Sequence, residues 1–187
     1  MEENMRTLTC PPGTEIIGTT LLGFSQNLQS DDVKPVMEKH GVVNLDPMGW
    51  YPAQMLLDAL NDIAAYSNFS TNMVAIGMKI GEIVPVPPEL GEKPSLEDVL
   101  MIWDDLYQGL HRNTDVGGIT IEKVHDNYFK TFHTVIYPDD MSYGVLYGYA
   151  RRFLPVSTHF TVFYEPDVTP RDKGGDGDAT VISVKWE

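Results

Sequence analysis

The residues of this chain that could do chemistry gather in its second half. Four of the five histidines, His111, His125, His133 and His159, lie beyond residue 110. Imidazole changes charge near neutral pH and is the commonest metal ligand, so their spacing is the first test. None stands three or four residues from another in a helical pattern, and none is near a cysteine, so a paired zinc-type site is not written here. His111 closes a helical apolar stripe, where it either sits half-buried near the negative helix end or acts as an axial ligand or polar group in a pocket. His133 alternates with Thr131, Val135 and Tyr137 along one strand face, and His159 with Thr161 and Phe163. Both faces are expected to be half solvated.

The acid pairs Asp104-Asp105 and Asp139-Asp140 are adjacent residues whose side chains point apart, as on a solvated surface. Asp172, Asp176 and Asp178 could gather oxygens for calcium, but they lack the spacing and terminal Glu of an EF-hand loop. No metal site is assigned. The single thiol, Cys10, has no local base, and the chain has no Gly-x-Ser-x-Gly elbow, phosphate-binding Gly-Lys-Ser/Thr or dinucleotide fingerprint. No catalytic residue is assigned either, and the pattern points away from an enzyme.

The richest segment is Tyr137-Pro-Asp-Asp-Met-Ser-Tyr-Gly-Val-Leu-Tyr-Gly-Tyr-Ala-Arg-Arg-Phe153. Gly144 and Gly148 fall four apart on one helix face, and because glycine inside a helix costs about 1 kcal/mol, something must approach that face closely. The partner is either another helix or a flat ligand walled by Tyr143, Tyr147 and Tyr149. A pocket is therefore expected where this helix meets the neighbouring helix and strand, lined by Trp103, Tyr107, His111, His133, Tyr137, Tyr143, Gly144, Tyr147 and Gly148.

The elements that must position these residues can be read from pattern. Residues 1–14 read as a flexible arm before a single domain, 15–187. The run Ile16 to Phe24 leaves helix or strand open. A helix is expected after Ser30 and ends at His40-Gly41, another spans Tyr51 to Tyr66 with Pro52 in its first turn, and a third runs from Asn72 to Ile83. After the loop Pro85 to Pro94, Ser95 opens the clearest helix, with Asp98 completing a capping box and Leu96, Val99, Leu100, Trp103, Leu106 and Tyr107 on one face. The texture then turns to strands at Val116 to Val124, Tyr128 to Tyr137, Thr158 to Tyr164 and Ala179 to Trp186, with the helix Met141 to Phe153 inserted. The glycine-rich loop before Ala179 predicts an antiparallel hairpin. The fold class is α+β: a helical N-terminal half packed on a small antiparallel sheet of about four strands.

Composition narrows the partners. The net charge of −14 is spread evenly on both sides of Pro94, which repels nucleic acid and anionic membranes. No apolar run of membrane-spanning length appears, so membrane insertion is not expected. One cysteine allows no internal disulfide, and a reducing, cytoplasmic setting is expected.

The order of features, namely a helical half, a helix ending in Leu110-His111, two strands, a helix of form Gly144-x-x-x-Gly148-x-Ala150-Arg-Arg-Phe153 and a hairpin through Gly174-Gly175-Asp-Gly-Asp178, resembles a known superfamily. It joins the haem nitric-oxide/oxygen-binding (H-NOX) domains, the vinyl-reductase-type small-molecule-binding domains and the TRAPP vesicle-tethering subunits. The H-NOX resemblance implies haem ligated through His111. The Tyr-x-Ser-x-Arg motif that holds the haem propionates there is replaced by Thr131, His133 and Val135, so haem is not the favoured cofactor. In the vinyl-reductase-type branch the last hairpin carries a cysteine where this chain has Asp178-Ala179. The resemblance thus implies a non-catalytic sensory domain that binds a small apolar or flat ligand. The TRAPP branch implies instead a protein-interaction domain acting as a homodimer.

Overall fold

A computed structural model describes residues 5–27, 33–66 and 68–187. The elements follow in the order β1 (Glu15–Ile17), α1 (Gly18–Asn27), α2 (Lys34–Lys39), β2 (Trp50–Pro52), α3 (Gln54–Ile63), α4 (Phe69–Ile83), α5 (Leu96–Met101), α6 (Trp103–Gln108), β3 (His111–Arg112), β4 (Ile119–His125), β5 (Tyr128–His133), α7 (Asp139–Phe153), β6 (Phe160–Tyr164) and β7 (Thr180–Trp186). The α+β reading holds. A four-stranded antiparallel sheet, ordered β4-β5-β7-β6, lies behind the helices, and β6 and β7 form the antiparallel pair expected on either side of the glycine-rich loop.

A second sheet, β2-β1-β3, was not expected. Its strands are two or three residues long, too short to show an alternating pattern, and they lie in or beside segments read as helical or left open between helix and strand. Pro52 therefore ends a strand instead of opening a helix. The start expected after Ser30 lies outside the described residues. Gly41 carries the positive φ of 76° that ends α2, as a C′ glycine should.

The helix expected from Ser95 is capped as read: Asp98 N–H donates to Ser95 Oγ at 3.2 Å and Ser95 N–H to the Asp98 carboxylate at 2.8 Å. It is two helices, however, because Ile102 leaves the helical region at φ −106°, ψ 5°. Leu96, Val99, Leu100, Trp103 and Tyr107 still share one buried face across the break.

Residues 5–14, read as an arm, are anchored at Arg6, Leu8, Cys10 and Thr14, with exposed residues between. Leu8 is fully buried, and its N–H and carbonyl are both paired with the Asn61 side chain. Arg6 donates to Asp172 at 2.6 Å and to the Tyr137 carbonyl at 2.7 Å. Asp139, read as solvated, is 1% exposed and accepts from Arg171, the Asp172 N–H and the Thr180 hydroxyl. The physical reason is its place in the first turn of α7, where a carboxylate meets the positive helix end and three further donors converge on it. Asp172 is thereby used as a structural anion, and no group of acids and histidines among the described residues could hold a metal ion.

The largest contact between two elements is that of α4 with α7. Gly77 and Gly81 on α4 face Gly144 and Gly148 on α7, and a Cβ placed on Gly81 would stand 2.5 Å from the Val145 carbonyl oxygen. A Cβ on Gly148 would stand 2.5 Å from that of Met78. Of the two partners the sequence left open for these glycines, a helix is the one present. On an open helix surface Gly→Ala gains about 1 kcal/mol. Here Gly144→Ala or Gly77→Ala drives a methyl into backbone that cannot yield, and each is expected to lower stability by about 2 kcal/mol or more, read as a drop in the denaturant midpoint.

Candidate functional site

With α7 fixed against α4, the next face of α7 borders a cavity of about 80 Å³. Met141, Ser142, Val145 and Tyr149 supply this wall, at the spacing of one helix stripe. The lining also takes in Trp103 and Tyr107 of α6, Ile119 of β4, Val135 and Tyr137 in the connection from β5 to α7, and Phe24 of α1, all buried. Thr20, Ile80, Val84, Leu106 and Leu110 complete it as half-buried residues, its rim.

The aromatic walls hold one another in place. Trp103 meets Tyr149 edge-on at 5.2 Å and His133 edge-on at 5.0 Å, and Tyr107 meets Tyr137 at 6.2 Å. The Tyr107 hydroxyl donates to the Val116 carbonyl at 2.7 Å and accepts the Ile136 N–H at 3.3 Å, so it is spent within the fold.

His111 is buried at the start of β3, one hydrogen bond behind the cavity. Its Nδ1 lies 2.9 Å from the Tyr107 backbone oxygen, an acceptor, so Nδ1 carries the proton. The Nε2 lone pair then accepts the Tyr137 hydroxyl at 2.7 Å. Burial lowers the His111 pKa below its ordinary value, in keeping with a neutral ring, and pushes that of Tyr137 well up.

His133 is fully buried on the inner face of β5, against the expectation of a half-solvated strand face. The Thr131 hydroxyl donates to the Ile182 carbonyl at 2.9 Å, which leaves its oxygen to accept from His133 Nε2 at 2.7 Å. Nδ1 is thus a bare lone pair, and it meets no donor. Burial pushes the His133 pKa down to about 3.

The expected site residues therefore divide. Trp103, Tyr107 and Tyr137 line the cavity; His111 and His133 each lie one residue behind it, on Tyr137 and Trp103 respectively. Tyr143 and Tyr147 do not reach it: the Tyr143 hydroxyl donates to the Val162 carbonyl at 2.8 Å beside the Tyr164 ring, and Tyr147 packs on Phe160, both toward β6. Gly144 and Gly148 are filled by α4. The face of α7 that borders the cavity is the stripe one position along, at 141, 145 and 149, a spacing as visible in the sequence as that of the glycines. Thr20 and Phe24 gave no such signal, since the run containing them was ambiguous between helix and strand.

The thiol of Cys10 lies outside this site, 3.4 Å from Gln54 Oε1, and burial raises its pKa, the opposite of an activated nucleophile.

No protein-family model matches the chain, and no curated protein sequence does. Solved structures do. An H-NOX protein from S. oneidensis in the Fe(II) ligation state aligns over 92% of this chain and 96% of its own, with a TM-score of 0.66 at 13% identity. A Cs H-NOX mutant aligns over 92% and 97% with a TM-score of 0.64 at 12% identity. A point mutant of T. tengcongensis H-NOX aligns over 91% and 94% with a TM-score of 0.62 at 12% identity. The chain has an H-NOX-like fold. Among the described residues no helix is long and apolar enough to cross a membrane.

An H-NOX-like fold raises the question of haem, and the residues present do not fit it. Ligation through His111 needs the Nε2 lone pair, which is occupied by Tyr137. The cavity alongside is smaller than the roughly 150 Å³ that holds benzene. Where the propionate motif would stand are Thr131, His133 and the buried, apolar Val135. Arg171, the guanidinium beside Val135, is committed to the Val135 carbonyl at 3.1 Å and to Asp139 at 3.0 Å.

The environment of His133 has a consequence in pH. Its folded pKa is depressed from 6.5 to about 3, so the unfolded chain binds the extra proton first as pH falls. The stability due to neutral His133 is present above pH 6.5 and is lost toward pH 3, by up to about 1.4 kcal/mol per pH unit. His133→Gln, which keeps a donor toward Thr131, should flatten the stability curve across that window, measured by urea unfolding at successive pH values; parallel curves would contradict the assignment.

Proposed function

We propose that this chain is a non-catalytic, sensory domain that binds a small, largely apolar molecule without haem. The observation that carries the reading is the cavity of about 80 Å³ walled by aromatic and aliphatic side chains at the junction of the helical half and the sheet. A close-packed interior leaves few gaps of this size, and one lined mainly by apolar groups and reached past half-buried residues is accessible to a guest. Sites for drug-sized ligands span about 300–1,000 Å³, so the guest has only a few heavy atoms. Its walls come from α1, α4, α6, α7 and the β5–α7 connection, so an occupant bears on several elements at once. That is what a sensor requires: different contacts in its filled and empty states.

The test uses xenon as a featureless apolar probe. The ¹²⁹Xe resonance should show a saturable shift with the unmodified protein and none with Val145→Phe, which fills the space from the α7 wall. An unsaturable shift, or an equal one in both proteins, would contradict the reading.

A further inference from the structure

Two hydroxyls in the cavity wall have nothing to bond. Among the described residues neither Ser142 Oγ nor Tyr149 Oη lies within hydrogen-bond distance of a protein partner, although Ser142 is 4% and Tyr149 1% exposed. Neither oxygen is sealed from a water-sized probe, so both O–H groups are free to donate to whatever occupies the space beside them. They are seven residues apart on α7, two helical turns, and so share a face. Side chains on a helix lean toward its N-terminus, which carries the Tyr149 hydroxyl back over the turn that holds Val145 and Ser142.

Of the other polar groups of the wall, the Trp103 indole N–H, like the two hydroxyls, has no hydrogen-bond partner among the described residues, and the hydroxyls of Tyr107 and Tyr137 are committed. The Tyr137 proton goes to His111 and the Tyr107 proton to the Val116 carbonyl. Thr20 stands at the half-buried rim, where solvent serves it. Among the described residues no side chain lining the cavity is charged. An ionised guest would lose its hydration with no counter-charge to meet, whereas a neutral guest with one oxygen would find two O–H donors and an apolar surround.

We propose that Ser142 and Tyr149 form a hydroxyl pair that selects short neutral molecules bearing a single carbonyl or hydroxyl oxygen. The proposal rests on the cavity being a ligand site and names the class of ligand it takes.

The experiment compares acetone with 2-methylpropene, which has the same shape but replaces C=O by C=CH₂. Affinities are followed by NMR chemical-shift titration of the full chain, unmodified and as Ser142→Ala and Tyr149→Phe. Each substitution should weaken the ketone about three- to tenfold, the worth of one hydrogen bond, and leave the alkene unchanged. Because neither hydroxyl has a protein partner, both variants should keep the melting temperature of the parent, and each tests the pair independently of the other. Ketone affinity unchanged in both variants, or ketone and alkene weakened together, would overturn the selection while leaving the cavity as an apolar site. Failure of xenon, ketone and alkene alike to bind would overturn the ligand site itself.

Discussion

The contact on which the rest of this structure depends is the backbone approach of α4 to α7. Side chains between two helices normally hold their axes about 8–10 Å apart. Glycine at 77, 81, 144 and 148 removes them at four successive points, and the backbones meet where a single added methyl would collide with a carbonyl. This crossing fixes the rotation of α7 about its axis. The stripe at 141, 145 and 149 must then face α6 and the β5–α7 connection, while Tyr143 and Tyr147 must face β6. The cavity is the space left between that stripe and the aromatic residues of α6. Asp139 pins the other degree of freedom, the position of α7 along its axis, by drawing Arg171, Thr180 and the Asp172 N–H onto its first turn.

The second determinant is the commitment of protons. The backbone carbonyl of Tyr107 decides the tautomer of His111, and that tautomer decides that Tyr137 donates instead of accepting. Thr131 does the same for His133 through its bond to Ile182. The two imidazoles that would be the natural places to look for metal or acid–base chemistry are thus held neutral by burial, one with its lone pair filled and the other with its lone pair facing no donor. A fold shared with H-NOX structures at 12–13% identity can therefore carry different chemistry, because site chemistry depends on particular side chains that the backbone path does not dictate.

Much of the architecture was legible from periodicity. The α3 stripe, the place of α7, the Ser95 cap, the four longer strands and the last hairpin follow from apolar spacing and turn residues. The sheet of β1, β2 and β3 was not, because strands of two or three residues are defined by their partners and have no period of their own. The dual nature of Gly144 and Gly148 was visible but unresolved. Their matching glycines at 77 and 81 carry the same four-residue spacing in the helix read as Asn72 to Ile83, and pairing the two would have named the partner. The burial of Asp139 and His133 was out of reach, since each depends on donors or walls brought from distant parts of the chain.

The central claim is that this H-NOX-like fold encloses a small polar-tipped apolar cavity where His111 is already bonded to Tyr137. Titration of the purified protein with hemin, followed by visible absorption, tests it most directly. The account predicts no stoichiometric Soret band of a histidine-ligated haem, and a spectrum indifferent to His111→Ala. A sharp one-to-one Soret band that disappears with His111→Ala would show that Tyr137 yields the imidazole and the cavity opens to a tetrapyrrole, and would contradict it.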